Sequence, residues 1–140
     1  MPRGGGVTDL WDRLDEAIGQ LSDITDIRAA AIVRRDGLVI AHNLPDGVDP
    51  KLVAAMTAAI VGTSEMATLQ LAQGPFARAV IEAQDGKMIS MGAGEEALLV
   101  ALVYKDANLG LVLMGMDRVA RRVDEILRPG VRSTTGTETW

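Results

Sequence analysis

Residues 25–45 read TDIRAAAIVRRDGLVIAHNLP, and the reading of this stretch decides the fold. Ile27 to Arg34 is an almost unbroken apolar run, Arg35-Asp36-Gly37 interrupts it, and Leu38 to His42 is again apolar and β-branched. Two such runs joined through Asp-Gly predict a β-hairpin, with positive φ expected at both central turn residues. The same punctuation returns at 85–90, DGKMIS, where Ala77 to Ala83 (ARAVIEA) leads through Asp85-Gly86 into Lys87 to Met91. Gly92 to Glu96 then turns the chain into Ala97 to Val103, ALLVALV, whose continuous apolarity suits a central strand covered on both faces.

Helices fill the spaces between these strands. Thr8 offers an N-cap oxygen, Asp9 and Asp12 place negative charge at the positive end of the dipole, and Leu10, Leu14, Ile18 and Leu21 keep helical spacing. A first helix is therefore expected from Asp9 to Leu21. The turn chemistry of NLPDGVDP (43–50) ends in Asp49 as a cap and Pro50 in a first turn, opening a second helix that runs to about Ala72. Leu52, Val53, Met56, Ala59, Ile60, Thr63, Met66 and Ala67 form one broad apolar stripe on it, with Ala54, Ala58, Gly62 and Glu65 opposite. A helix apolar or small nearly all round is covered on more than one side, and the small residues are expected to admit a second helix at close range. Asn108 caps a last helix in which Leu109, Val112, Leu113, Met116, Val119, Ala120, Val123, Ile126 and Leu127 recur on one face until Pro129.

The order α-β-β-α-β-β-β-α predicts an α/β (α+β) domain over residues 8–128, with a mostly antiparallel five-stranded sheet between helices. Residues 1–7, with the glycine run Gly4 to Gly6, and residues 129–140, which end in RSTTGTETW, are expected to be disordered. At 140 residues one domain is the natural reading, and its core must be built from Val, Ile, Leu, Met and Ala, because only four residues are aromatic. A net charge of −5 disfavours nucleic acid and anionic membrane surfaces. The absence of cysteine excludes disulfides, thiolate zinc sites and a cysteine nucleophile, and Met1 to Gly6 lacks the apolar core of a signal peptide, so a cytoplasmic protein is expected. Neither Leu52–Leu71 nor Leu98–Met116 is expected to span a membrane, since polar residues interrupt both.

Candidate chemistry is sparse. His42 is the sole histidine and reads as a strand-end residue beside a turn, not as the base of a triad. Asp46 and Asp49 lack the spacing of a calcium loop and read as turn and cap. Gly92-Ala93-Gly94-Glu95 is followed by a strand and an acidic pair, which argues against a phosphate cradle. Arg118, Arg121, Arg122 and Arg128 alternate with Asp117, Asp124 and Glu125, as on a solvated face laced with ion pairs. With Leu111 and Met114 on the same side, Leu111, Met114, Arg118 and Arg122 form a candidate partner surface. No catalytic residue, cofactor or metal ligand is assigned. What stands out is unsatisfied hydrophobicity: ARAVIEA reads as a sheet edge, and an exposed edge pairs or aggregates. A two-fold dimer resolves this, the edge meeting its own copy with the two apolar helices packed above it. The expected interface is Met56, Ala59, Ile60, Thr63, Ala77, Arg78, Ala79, Val80, Ile81 and Glu82, with Arg78 and Glu82 on one face of the strand, each close to its opposite across the joint.

The chain resembles the roadblock family, found in dynein light chains, in lysosomal GTPase scaffolds and in prokaryotic partners of Ras-like GTPases. The likeness is carried by residues 25–45, by the Ala- and Met-rich helix after them, and by DANLGLVLMGMDRVARRV (106–123), where Asn-Leu-Gly-Leu opens the last helix; it covers about Leu10 to Leu127. The single-domain form is similar to the prokaryotic GTPase partners. The resemblance implies a profilin-like three-layer α/β/α sandwich, with the second helix on one face and the terminal helices on the other. It implies a dimer joint made by the third strand and the second helix, no enzymatic activity, and binding of a Ras-like small GTPase, whose hydrolysis some members speed by repositioning the GTPase's own groups. The expected function is thus a non-enzymatic homodimeric regulator or scaffold without a cofactor. No arginine finger is assigned to Arg78 or the Arg118 cluster on charge alone. Two alternatives stay open: a small-molecule sensor, which few aromatics and no converging polar groups count against, and a purely structural dimerisation module.

Overall fold

In the computed structural model, which describes residues 6–128, eight elements follow in the expected order: α1 (Gly6–Ser22), β1 (Ile27–Arg34), β2 (Val39–His42), α2 (Pro50–Gln70), β3 (Ala79–Ala83), β4 (Gly86–Ala93), β5 (Ala97–Tyr104) and α3 (Leu109–Leu127). The expectations for residues 1–5 and 129–140 lie outside the described residues. The five strands form one sheet in the order β2-β1-β5-β4-β3, and every pairing is antiparallel. β5, the most continuously apolar strand, lies at the centre between β1 and β4, as ALLVALV requires.

The sheet is buried on both sides. On one, Ile32, Ile89, Leu99, Ala101 and Val103 pack against Leu14, Ile18 and Leu21 of α1 and Val112, Met116, Val119 and Val123 of α3. On the other, Ala31, Val33, Leu98 and Val100 meet Val53, Ala54 and Val61 of α2. The three-layer sandwich follows from this alternation of strand side chains between the two faces. Asp49 caps α2 by accepting from the Lys51 amide, and Asn108 caps α3 by accepting from the Leu111 amide, as the sequence predicts.

Four details differ from expectation. First, α1 begins at Gly6, so Gly6 and Val7 are helical and Thr8 lies inside the helix instead of capping it. Second, the Asp-Gly pairs do different work. In the β1–β2 turn the Gly37 amide donates to the Arg34 carbonyl, and only Gly37 takes a positive φ, of 92°. At the second hairpin Ala83 pairs with Gly86, so Gly86 is already in β4 and has no positive φ. A β-carbon there would lie 3.1 Å from the Val103 carbonyl oxygen, so glycine is needed for close strand approach.

Third, β3 begins at Ala79, leaving Ala77 and Arg78 in the loop before it. Fourth, α2 turns its small-residue side inward: Ala54 and Thr57 are fully buried and Ala58 is half-buried against the sheet, while Met56, Ala59 and Thr63 are exposed. Of the small residues expected to receive a second helix, Ala54 and Ala58 instead lie against the strands while Gly62 is exposed; of the bulkier stripe Val53 is buried and the rest is largely open. By length and composition α2 also meets the requirement for a membrane span, against the expectation, with mean hydropathy 1.5 and 22% of the apolar window buried. Its threonines and serine reduce hydropathy less than the surrounding Ala, Val, Ile and Met raise it; in the structure the helix lies across the sheet.

Candidate functional site

The features that stand out lie on the α2 side of the molecule. Val53, Ala54, Thr57 and Val61 are the buried residues of α2, and all fall within its first twelve positions. The outward stripe comprises Met56, Ala59 and Thr63, exposed, and Ile60, half-buried, and it continues into Met66 and Leu69, which are 59% and 66% exposed. Methionine and leucine at this exposure on successive turns form a contiguous apolar surface, not a scatter of single residues.

β3 borders this stripe. It is the last strand of the sheet on its side, paired only with β4, so its outer row of amide and carbonyl groups has no strand partner among the described residues. Its register fixes which side chains face where. Ile81 is opposite Met88, which packs in the α2-side cluster, so Ala79, Ile81 and Ala83 share that side; Val80 is opposite Ile89, so Val80 and Glu82 face the α1/α3 side. Val80 is 36% exposed. Arg78 lies just before the strand and directs its guanidinium to Asp117 of α3 at 3.3 Å, on the same side of the sheet as Glu82.

A third feature completes the surface. α2 covers the first half of β5, over Leu98 and Val100, and leaves the second half open. There a groove of about 590 Å³ is lined by Ile81, Ala83, Met88, Leu102 and Tyr104, with Arg28 and Lys87 at its rim. Its floor is apolar, and nothing in the sequence had marked it, because Leu102 and Met88 read as ordinary inward strand residues. Outward stripe, open edge and groove adjoin one another on the same side of the sheet.

The candidate surface on α3 is divided. Leu111 and Met114 are each 60% exposed, one turn apart, and Arg118 follows on the next turn with no ion-pair partner among the described residues. Arg122, by contrast, is engaged with Glu16 of α1, and Arg128 with Asp124 at 2.6 Å. Of the ion pairs expected within this face, Arg128–Asp124 alone forms among the described residues, and Asp117 is engaged by Arg78. His42 accepts from the Leu44 amide at 3.0 Å through Nδ1, the role of a strand-end residue shaping a turn. Among the described residues, no group of three or more His, Asp or Glu side chains is placed to hold a metal ion.

Two arrangements escaped the sequence. Arg35 crosses to the α2 side and donates from Nη1 to both Glu65 carboxylate oxygens at 3.0 Å, and from Nη2 to the Gly94 carbonyl at 3.0 Å. Thirty residues separate the pair, and the sequence showed Arg35 only as part of a turn and Glu65 only as part of a helix side. Between α2 and the sheet, the hydroxyls of Thr57 and Ser90 are fully buried and have no hydrogen-bond partner among the described residues.

Comparison with known proteins places this geometry. The profile of the Roadblock/LC7 domain matches residues 13–103. An uncharacterised protein of Methanocaldococcus jannaschii, MJ1340, is 36% identical over 110 residues, covering 79% of this chain and 96% of that one. Among solved structures, the gliding protein MglB from Thermus thermophilus superposes with a TM-score of 0.76 at 23% identity, over 90% of this chain and 93% of that chain. Profilin from Schizosaccharomyces pombe superposes at 0.58 and 16% identity, over 84% and 98%, in keeping with a profilin-like layering.

Proposed function

This chain belongs to the Roadblock/LC7 family, and from that premise we propose that it acts in the cytoplasm as a homodimeric, non-enzymatic regulator or scaffold of a Ras-like small GTPase. The observation that carries the reading is the continuity of three unsatisfied features: the apolar outward stripe of α2, the unpaired edge of β3 and the groove over the second half of β5.

A two-fold axis perpendicular to the sheet at the middle of β3 accounts for all three at once. It pairs β3 with its own copy antiparallel, giving one sheet across two protomers and closing both edges. It keeps the partner's α2 on the same side of that sheet but exchanges the two ends of the strands. α2 occupies the end of β5 at Leu98 and Val100, and the groove occupies the end at Leu102 and Tyr104, so the partner's α2 is brought toward the groove. Met66 and Leu69, near the C-terminus of α2, supply the apolar side chains that such a groove takes. Met56, Ala59, Ile60 and Thr63 with Ala79 to Glu82 remain the interface core; Ala77 and Arg78 sit at its margin.

The α1/α3 face points away from this joint and stays accessible in the dimer, which leaves Leu111, Met114 and Arg118 free to meet a GTPase. Arg122, on the same helix, is engaged with Glu16 of α1. Sedimentation equilibrium tests the dimer. Co-elution with a Ras-like GTPase from the same organism, loaded in turn with GDP and with a non-hydrolysable GTP analogue, tests the partner; absence of binding in both states refutes the regulatory reading and leaves a structural dimer.

A further inference from the structure

The C-terminal part of α2 is held in an unusual way. After Val61 the helix has no fully buried side chain: Gly62, Thr63, Met66, Ala67, Leu69 and Gln70 are exposed, and Ser64, Glu65 and Thr68 are only partly covered. Burial therefore fixes the first half of the helix and not the second. Gly62 starts this second half, and a β-carbon there would meet nothing within 4 Å. A glycine inside a helix, with no side chain to pack, weakens the helix at that point.

What ties the free half down is Arg35. Its Nη1 serves both oxygens of Glu65, and its Nη2 serves the carbonyl of Gly94 in the β4–β5 turn. Two further features fix the guanidinium. Gly92 gives it room, since a β-carbon there would come within 3.1 Å of Nη2. Gly94 lies close to the Asp124 side chain of α3, which a β-carbon there would overlap. One planar side chain thus spans the β1–β2 turn, the β4–β5 turn and α2, a task suited to the five fixed donors of arginine and not to a lysine.

We propose that Arg35 is a positioning residue that sets where the second half of α2 stands, and through it the strength with which two copies of this chain associate. The inference rests on the dimer reading above. Arg35 and Glu65 are 34% and 37% exposed, and an ion pair so exposed adds little to global stability. Its loss releases residues 62–70, with Met66 and Leu69, while the packed first half holds. Ordering that segment again on association then opposes dimer formation.

The test uses Arg35→Gln, Arg35→Lys, Glu65→Gln and the Arg35→Gln/Glu65→Gln double variant, with thermal unfolding, sedimentation equilibrium and amide hydrogen exchange on each. Arg35→Gln is expected to raise the dimer dissociation constant about tenfold, equivalent to ~1.4 kcal/mol, and to speed exchange in residues 62–70, with Tm nearly unchanged when read at a concentration where both proteins are monomeric. Arg35→Lys should recover only part of the loss. The double variant should be no weaker than the worse single one, because both remove the same contact. An unchanged dissociation constant, full recovery by lysine, or faster exchange spread over the whole chain overturns the proposal. If the wild type is a monomer at every concentration, the dimer reading fails and the effect on association falls with it. Exchange of residues 62–70 in Arg35→Gln then decides separately whether Arg35 holds the helix.

Discussion

Replacing Val80 by glutamate probes the proposed joint where the outcome is least dependent on its exact register. Val80 lies in the middle of β3 and is 36% exposed in the protomer, so about a third of its surface is left for a partner to cover. Full burial of a valine contributes about 1.5–3 kcal/mol, so that third contributes about 0.5–1 kcal/mol per protomer and about 1–2 kcal/mol in a two-fold dimer. The substitution removes this and adds a carboxylate on each chain. If the axis passes through Ile81, the new carboxylate faces the partner's Glu82; if it passes through Val80, the two new carboxylates face each other. Either way like charges are opposed across paired strands, which is destabilising. The combined effect is about 3 kcal/mol or more, at least a hundredfold in the dissociation constant. Sedimentation equilibrium of Val80→Glu beside Val80→Ala measures it, with circular dichroism to verify that the protomer folds. Val80→Ala should weaken the dimer by about tenfold or less. A folded Val80→Glu protein that dimerises as tightly as the wild type refutes the β3 joint.

Ile60→Glu charges the outward stripe of α2 and should likewise give a folded monomer by light scattering, since Ile60 is only half-buried in the protomer. Thr57→Val and Ser90→Ala each remove a fully buried hydroxyl without a partner, and each is expected to raise stability by about 1 kcal/mol in urea titration; a loss of stability would mean that the hydroxyl is satisfied. Gly37→Ala, held at a φ of 92°, should cost about 1–2 kcal/mol in the same titration, and Gly86→Ala, with the Val103 carbonyl 3.1 Å from its β-carbon, about 1–3 kcal/mol. Leu111→Glu and Met114→Glu, both on the α1/α3 side, should abolish co-elution with the GTPase while leaving the dimer intact; retained binding would move the partner to another face.

The strands and most helix boundaries were legible because their signals are local. Ile27 to Arg34 is bounded by polar residues and a turn glycine, and β1 has those limits; Asp49 and Asn108 cap the helices they were expected to cap. The rotation of α2 was not legible, because a helix apolar nearly all round carries no preferred inward side; the alanines of β1 and the small side of the helix settle it only by packing together. The pairing of Arg78 with Asp117 was not legible because the two lie 39 residues apart on different elements. The clamp of Arg35 on Glu65 was invisible for the same reason, and the groove was missed because it is defined by what α2 leaves uncovered.

The sheet order β2-β1-β5-β4-β3 has a consequence for the birth of the molecule. Its central strand, Ala97–Tyr104, is the last one to be synthesised. Until it emerges, the β1–β2 and β3–β4 hairpins have no strand in common, and each presents an open inner edge of apolar residues that belongs in the core. A nascent chain shorter than about residue 104 therefore holds two half-sheets in search of a partner, and is exposed to mispairing with neighbouring chains. The insertion of β5 closes both inner edges in one step and leaves open β2 and β3, the outer edges of the finished sheet.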